Sequence, residues 1–244
     1  MLNQEQIEHY HEHGYVVPVF QMDETTHDRI KERHAALVER RPDFRNYCPA
    51  LLDQDEAIVA VCYNAGILDL VEQLIGQDIA LWNSSFLAKP ALNGHRTLLH
   101  QDGKFWPIRP LATCTAWLAV DDATIENGCL RIIRGSHKDR AIKAHNALKD
   151  DADVTLFEEL DPSTYDEADA VQCVLKAGPI SLHDVLLLHG SEANASPNPR
   201  RGLTMRFMPT TSLFDREIAA ADARERNIVD HSMLPVYLMR GADR

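Results

Sequence analysis

Apolar residues recur at helical spacing through the first third of the chain, then give way to short runs broken by turn residues. Asn3-Gln4-Glu5-Gln6 has the form of a capping box, Ile7 and Tyr10 share a helical face, and Gly14 stops the pattern before the β-branched run Tyr15-Val16-Val17-Pro18-Val19. A second helix is predicted over residues 23–41, where Ile30, Leu37 and Val38 repeat at helical spacing and Pro42 follows. A third is predicted over residues 55–75. It carries Ile58, Val59, Cys62, Ile67, Leu68, Leu70, Val71, Leu74 and Ile75 before Gly76, and is apolar enough to lie on a sheet.

From about residue 79 the runs are strand-like: residues 79–88, 97–101, 113–120, 130–133, 171–175, 180–188 and 203–208. Lys89-Pro90, Asn93-Gly94, Glu126-Asn127-Gly128, Gly135-Ser136, Gly178-Pro179 and residues 194–202 separate them. Short strands between such turns predict a mostly β protein with flanking helices, its core a jelly roll (a cupin-like double-stranded β-helix) with the N-terminal helices on one sheet. One domain fills residues 1–244: a helical part over 1–78, the jelly-roll core over 79–210, and a tail over 211–244 that covers the domain or meets a partner. The acidic stretch 149–170 interrupts the core as an insertion or lid.

Composition narrows the function. Of 244 residues, 45% are hydrophobic, enough for a large core, and 25 Lys plus Arg against 37 Asp plus Glu leave a net charge of −12. That charge repels phosphate backbones and anionic leaflets, so a small-molecule partner is expected rather than nucleic acid or membrane. Five cysteines without any C-x-x-C pair, and no run long enough to cross a bilayer, lead to the expectation of a reduced cytoplasmic protein. Oligomeric state is not readable from the pattern.

The unusual count is twelve histidines, which directs attention to metal binding. Two His-x-Asp triplets occur, His100-Gln101-Asp102 and His137-Lys138-Asp139, where about one is expected by chance. On a strand, i and i+2 point to one face, so either triplet offers an imidazole and a carboxylate to one ion. His100 and Asp102 follow the apolar Leu98-Leu99, whereas His137 follows a turn between charged residues and reads as solvated. His189, at the end of the 180–188 run, is the best third ligand and would complete a 2-His-1-carboxylate set, the arrangement that holds Fe(II) with open positions. Arg200 or Arg201 could then grip a co-substrate carboxylate. His9, His11 and His13 lie on different faces of a helix and read as solvated; His183 has the parity of the ligand face. Arg206, opposite in parity to Leu203, Met205 and Phe207, either enters a polar site or faces solvent.

These marks in order resemble the phytanoyl-CoA dioxygenase-like branch of Fe(II)/2-oxoglutarate oxygenases, relatives of the ectoine hydroxylases. The resemblance runs from Gln4 to about Pro209. It rests on Lys89-Pro90 eleven residues before His100-Gln101-Asp102, on Trp117, on Glu126-Asn127-Gly128-Cys129-Leu130, on Gly135-Ser136-His137, and on His189-Gly190-Ser191 with Asn194, Ser196 and Arg200. Arg134 stands where the family commonly has proline, which touches a turn only.

The resemblance implies His100, Asp102 and His189 as iron ligands and Arg200, eleven residues beyond His189, as the 2-oxoglutarate clamp. Ser191, Trp117 and Asn83 would belong to the same co-substrate site, although Trp117 also suits a core and Asn83 a strand contact. It implies an Fe(II)- and 2-oxoglutarate-dependent dioxygenase using O2, releasing succinate and CO2 and hydroxylating an unactivated C–H. Halogenases of related fold carry a small residue in place of the carboxylate ligand; Asp102 speaks against that outcome. Lys104, Phe105, Trp106 and Arg109 follow the triplet and, with Arg206, are expected at the substrate mouth, favouring a small anionic or zwitterionic metabolite. The rival expectations are a cupin-like metalloenzyme that does not use 2-oxoglutarate and a non-catalytic small-molecule binding protein on the same scaffold.

Overall fold

The N-terminal capping signals are satisfied in the computed structural model, which describes residues 1–147, 153–156, 158–226 and 229–244. In α1 (Gln4–His13) the Asn3 side chain accepts from the Gln6 N–H at 2.8 Å and the Gln6 side chain accepts from the Asn3 N–H at 3.1 Å. Gly14 closes the helix at φ +83°, a left-handed conformation that favours glycine, and β1 (Tyr15–Val16) follows. Next come α2 (Glu24–Arg40), β2 (Tyr47–Cys48), α3 (Leu51–Gln54), α4 (Glu56–Cys62) and α5 (Ala65–Ile75). The single helix expected over residues 55–75 is thus two. Asn64 accepts from the Ile67 N–H at 3.2 Å and caps α5, an alternative that its short side chain offers the backbone, and the two axes bend by 59°.

The strands that follow are β3 (Ile79–Lys89), β4 (Thr97–His100), β5 (Ile108–Arg109), β6 (Cys114–Ala119), β7 (Leu130–Ile133), β8 (His145–Ala147), β9 (Glu158–Leu160) and β10 (Ala170–Cys173). Then come β11 (Ile180–Asp184), β12 (His189–Ser191), β13 (Arg200–Pro209), β14 (Leu213–Phe214), α6 (Arg216–Arg226) and β15 (Tyr237–Arg240). One antiparallel sheet has the order β1-β11-β6-β13-β3-β15, with β2 also on β3; the other is β10-β7-β12-β4. The chain therefore has the expected jelly-roll architecture with helices on one face.

Period-two alternation on β13 explains the layering. Leu203, Met205 and Phe207 join Ala116 and Leu118 in a core shared with Ile67, Leu70 and Val71 of α5, while Arg200, Thr204 and Arg206 turn to the opposite face, toward the second sheet. A bulge re-aims β3: Arg206 pairs with Asn83 and Phe207 with Leu81, so Trp82 is the extra residue, and Trp82 and Asn83 both turn inward.

The expected 180–188 strand is also two elements. Asp184 Oδ1 accepts from the Leu186 N–H at 2.8 Å, the chain turns, and His189 opens β12 in the other sheet. Of the expected insertion at 149–170, residues 149–152 and 157 lie outside the described residues; β9 pairs with β8, and Thr155, Leu156 and Glu158 face the cavity between the sheets. The tail folds back, with β14 on β5, β15 on β3, and Val229 and His231 reaching the cavity. Among the described residues no single helix is long and apolar enough to cross a membrane.

Candidate metal centre and its cavity

β4 and β12 are adjacent antiparallel strands, and their register sets His100 opposite His189 with ring centroids 4.4 Å apart. Asp102 does not extend β4 as a strand residue. Extended Gln101 carries the chain one step on, and Asp102 opens a short 3-10 turn with its carboxylate still on the His100 side, Oδ1 3.6 Å from His100 Nε2. One ligand atom from each of His100, Asp102 and His189 lies within 4.8 Å of the others, and all three residues are buried.

The ring orientations suit metal binding. His100 Nδ1 lies 2.8 Å from the Leu98 carbonyl and His189 Nδ1 3.0 Å from the Leu187 carbonyl. A carbonyl only accepts, so each Nδ1 carries the proton and each Nε2 lone pair is left for an ion. Burial opposes protonation of His189 and, with the nearby His100, lowers it to about 4; this keeps the ring in its ligating form at neutral pH. Burial works against the charged form of Asp102, but the neighbouring His100, His189 and Arg206 win, holding the carboxyl below the usual range. Two neutral imidazoles and a carboxylate are a donor set suited to a divalent first-row metal.

The triad borders a cavity of about 570 Å³, within the range of small-molecule sites. At one end lies Arg200, 2% exposed, which donates through Nε to the Gly128 carbonyl at 3.0 Å, through Nη1 to the Leu87 carbonyl at 3.0 Å and through Nη2 to Ser191 Oγ at 3.2 Å. Burial lowers its guanidinium only to about 10, so it stays charged at neutral pH. Trp117 lies 5.5 Å from that guanidinium, and its indole N–H has no partner among the described residues. Asn83 also lines the cavity, with Oδ1 unpartnered among the described residues. Arg201 has the opposite parity: its Nε and Nη2 fork onto Asp121 at 2.8 and 2.7 Å, away from the cavity.

Phe105, Trp106 and Arg206 face the cavity, as expected of mouth residues. Lys104 does not: it is exposed, because the 3-10 turn that places Asp102 inward points position 104 outward. Arg109 is exposed as well and bonds the carbonyls of Trp106 and Ile108. The local positive field inside the cavity is therefore Arg200 and Arg206. In the second triplet Lys138 and Asp139 are exposed as expected, but His137 is 6% exposed and bonds the His11 carbonyl at 3.1 Å, tying down α1.

The sequence pattern does not single out Thr115 or His231, and it marks His183 only by its parity. Thr115, two residues from Trp117 and of the same parity, places its hydroxyl 3.5 Å from Asp102 Oδ2. His183 reaches the triad from the other sheet rather than along one strand, with Nε2 3.9 Å from Asp102 Oδ2 and its ring centroid 4.8 Å from that of His189. His231 arrives from the tail, where no periodicity marks it.

The sequence profile of the phytanoyl-CoA dioxygenase family matches residues 10–202. The chain belongs to this family. Among its curated relatives, the phytanoyl-CoA dioxygenase domain-containing protein 1 homolog of Dictyostelium discoideum is 33% identical over 176 residues, 70% of this chain and 62% of the relative. The peroxisomal phytanoyl-CoA dioxygenase of Homo sapiens is 31% identical over 161 residues, 63% of this chain and 46% of the relative. The chain thus spans less than two thirds of the length of these family members. Among solved structures, the non-heme monooxygenase ThoJ in its apo form superposes with a TM-score of 0.76 at 22% identity, covering 98% of this chain and 84% of that one. EctD from S. alaskensis with 2-oxoglutarate and 5-hydroxyectoine gives 0.70 at 18% identity, covering 88% and 78%. These likenesses establish the fold that the family shares.

Proposed function

We propose that the chain is an Fe(II)- and 2-oxoglutarate-dependent dioxygenase that uses O2 to hydroxylate an unactivated C–H of a small anionic or zwitterionic metabolite, releasing succinate and CO2. The observation that carries this reading is one cavity holding both a His-Asp-His cluster with inward Nε2 atoms and a buried, charged arginine hydrogen-bonded to Ser191. His100, Asp102 and His189 would hold the iron, whose chemistry when bound with 2-oxoglutarate is activation of O2.

The protein's own residues do the rest. Arg200 and Ser191 offer N–H and O–H groups to a dicarboxylate, with Trp117 and Asn83 as walls that fix its plane; their unpartnered polar atoms are donors and acceptors available to it. Thr115 steadies Asp102, and the aromatic rings of Phe105 and Trp106 exclude water from the far end. The five cysteines are buried and unbridged, which supports a reducing, cytoplasmic setting. Oxygen-dependent formation of succinate from 2-oxoglutarate, abolished in Asp102→Ala, tests the reading. A metalloenzyme of another kind, or a pure binding protein, would give no succinate.

A further inference from the structure

Arg206 is the other buried cation of the cavity, and what meets its charge differs from what meets that of Arg200. Both project from β13 on the cavity face, six residues apart, so about 20 Å of strand separates their backbones. Arg200 ends beside Ser191, two residues from His189. Arg206 stands opposite Thr115 in the ladder with β6, and Thr115 is the residue whose hydroxyl reaches Asp102. The two guanidinium groups therefore flank the metal cluster from opposite ends.

Arg200 is engaged at all three of its nitrogens. Among the described residues Arg206, 7% exposed, makes one bond, from Nη1 to the neutral Ser85 Oγ at 2.9 Å, and its buried Nε–H has no partner. Among the described residues no carboxylate forms an ion pair with it, and Asp102, whose carboxyl feels its charge through space, belongs to the metal cluster. A buried cation whose donors are unanswered is costly, and it is retained where something else completes it.

The surroundings indicate what completes it. Trp106 lies 5.5 Å from the Arg206 guanidinium and packs edge-on against Trp82 at 4.9 Å. His231, its ring 5.9 Å from Trp82, has an Nδ1 that is unpartnered among the described residues. Building on the dioxygenase reading, we propose that Arg206 anchors the substrate by its carboxylate, and that the substrate is a small monocarboxylic acid whose apolar or aromatic body lies against Trp106 and Phe105. The planar guanidinium fork matches a carboxylate and exceeds what a neutral amide can draw from it. The Arg200 end is thereby left to the co-substrate, so two carboxylates never compete for one arginine.

The test uses the full chain loaded anaerobically with Fe(II) and 2-oxoglutarate. A panel of arylalkanoic acids, 2-hydroxy acids and amino acids is compared with the matched primary amides and with 3-phenylpropionyl-CoA, whose acyl end has no free carboxylate. Binding is read from perturbation of the visible iron–keto-acid band and, in metal-free protein, from the thermal midpoint. At least one acid is expected to bind tenfold or more tighter than its amide, about the worth of a charge-assisted hydrogen bond. Arg206→Gln should erase that discrimination while the 2-oxoglutarate band persists, and Arg206→Lys should keep part of it. Equal binding of acids and amides with the band intact overturns this inference alone. So does a response to the CoA thioester and to no acid, or loss of the 2-oxoglutarate band in Arg206→Gln with acid discrimination retained. Absence of any band in the wild-type protein would instead remove the dioxygenase reading beneath it.

Discussion

Gly202 leaves room for an indole. An added Cβ at this position would overlap Cε2, Cζ2 and Nε1 of Trp117, where carbon atoms normally stop at about 3.5 Å. Neither side can yield cheaply: Gly202 sits in β13, paired with Leu87 on one side and Ala119 on the other, and the Trp117 ring is rigid and 1% exposed. In Gly202→Ala the ring must therefore shift by about 1 Å, beside the Arg200 guanidinium that it faces. Overpacking of this kind costs about 1–3 kcal/mol, and in a domain of this size each 1 kcal/mol lowers the melting temperature by roughly 2–4 °C. A fall of roughly 2–12 °C is expected by calorimetry. Titration of 2-oxoglutarate should show affinity reduced about tenfold or more, the equivalent of ~1.4 kcal/mol. Affinity for the metal alone should hold, since none of the three ligands touches this glycine. A stable Gly202→Ala protein that binds 2-oxoglutarate like the wild type would refute the assignment of Trp117 as a wall of that site.

Three further outcomes are expected. Arg200→Ala should raise the 2-oxoglutarate requirement far more than Arg201→Ala, because Arg201 is committed to Asp121; equal effects in steady-state titrations would undo the clamp assignment. Asp102→Ala should weaken Fe(II) or Co(II) binding by at least about a hundredfold, beyond the loss typical of groups that only support a ligand, as measured by competition with a chelator. The metal-free protein should lose stability as pH falls from 6.5 toward 4. Burial lowers His34, His189 and His231 to about 4, so over that window the unfolded chain binds protons that the folded one refuses. Urea unfolding with a flat midpoint between pH 7 and 4.5 would contradict this.

The strand-rich core and the helical first third were legible because burial imposes a period on each. The misreadings come where a single side chain overrides the period. Asn64 caps a helix inside an apolar run, and Asp184 turns the chain between sheets inside what reads as one strand. The His-x-Asp triplet was legible as a unit, yet its second member works from a 3-10 turn, and that turn explains why Lys104 points outward. Thr115 could have been found from its parity with Trp117. His231 could not, since it comes from a segment without pattern and meets the cavity through long-range packing alone. Arg206 had an undecided parity on its own; the sheet facing β13 places it in the cavity.

In the proposed function His100, Asp102 and His189 would hold ferrous iron beside an arginine that holds 2-oxoglutarate. The most direct measurement is the visible spectrum of the folded protein after anaerobic addition of Fe(II) and then 2-oxoglutarate. A charge-transfer band is expected that appears only with both additions and is lost in Asp102→Ala. A metal-loaded, folded wild-type protein that shows no band at saturating 2-oxoglutarate would contradict it.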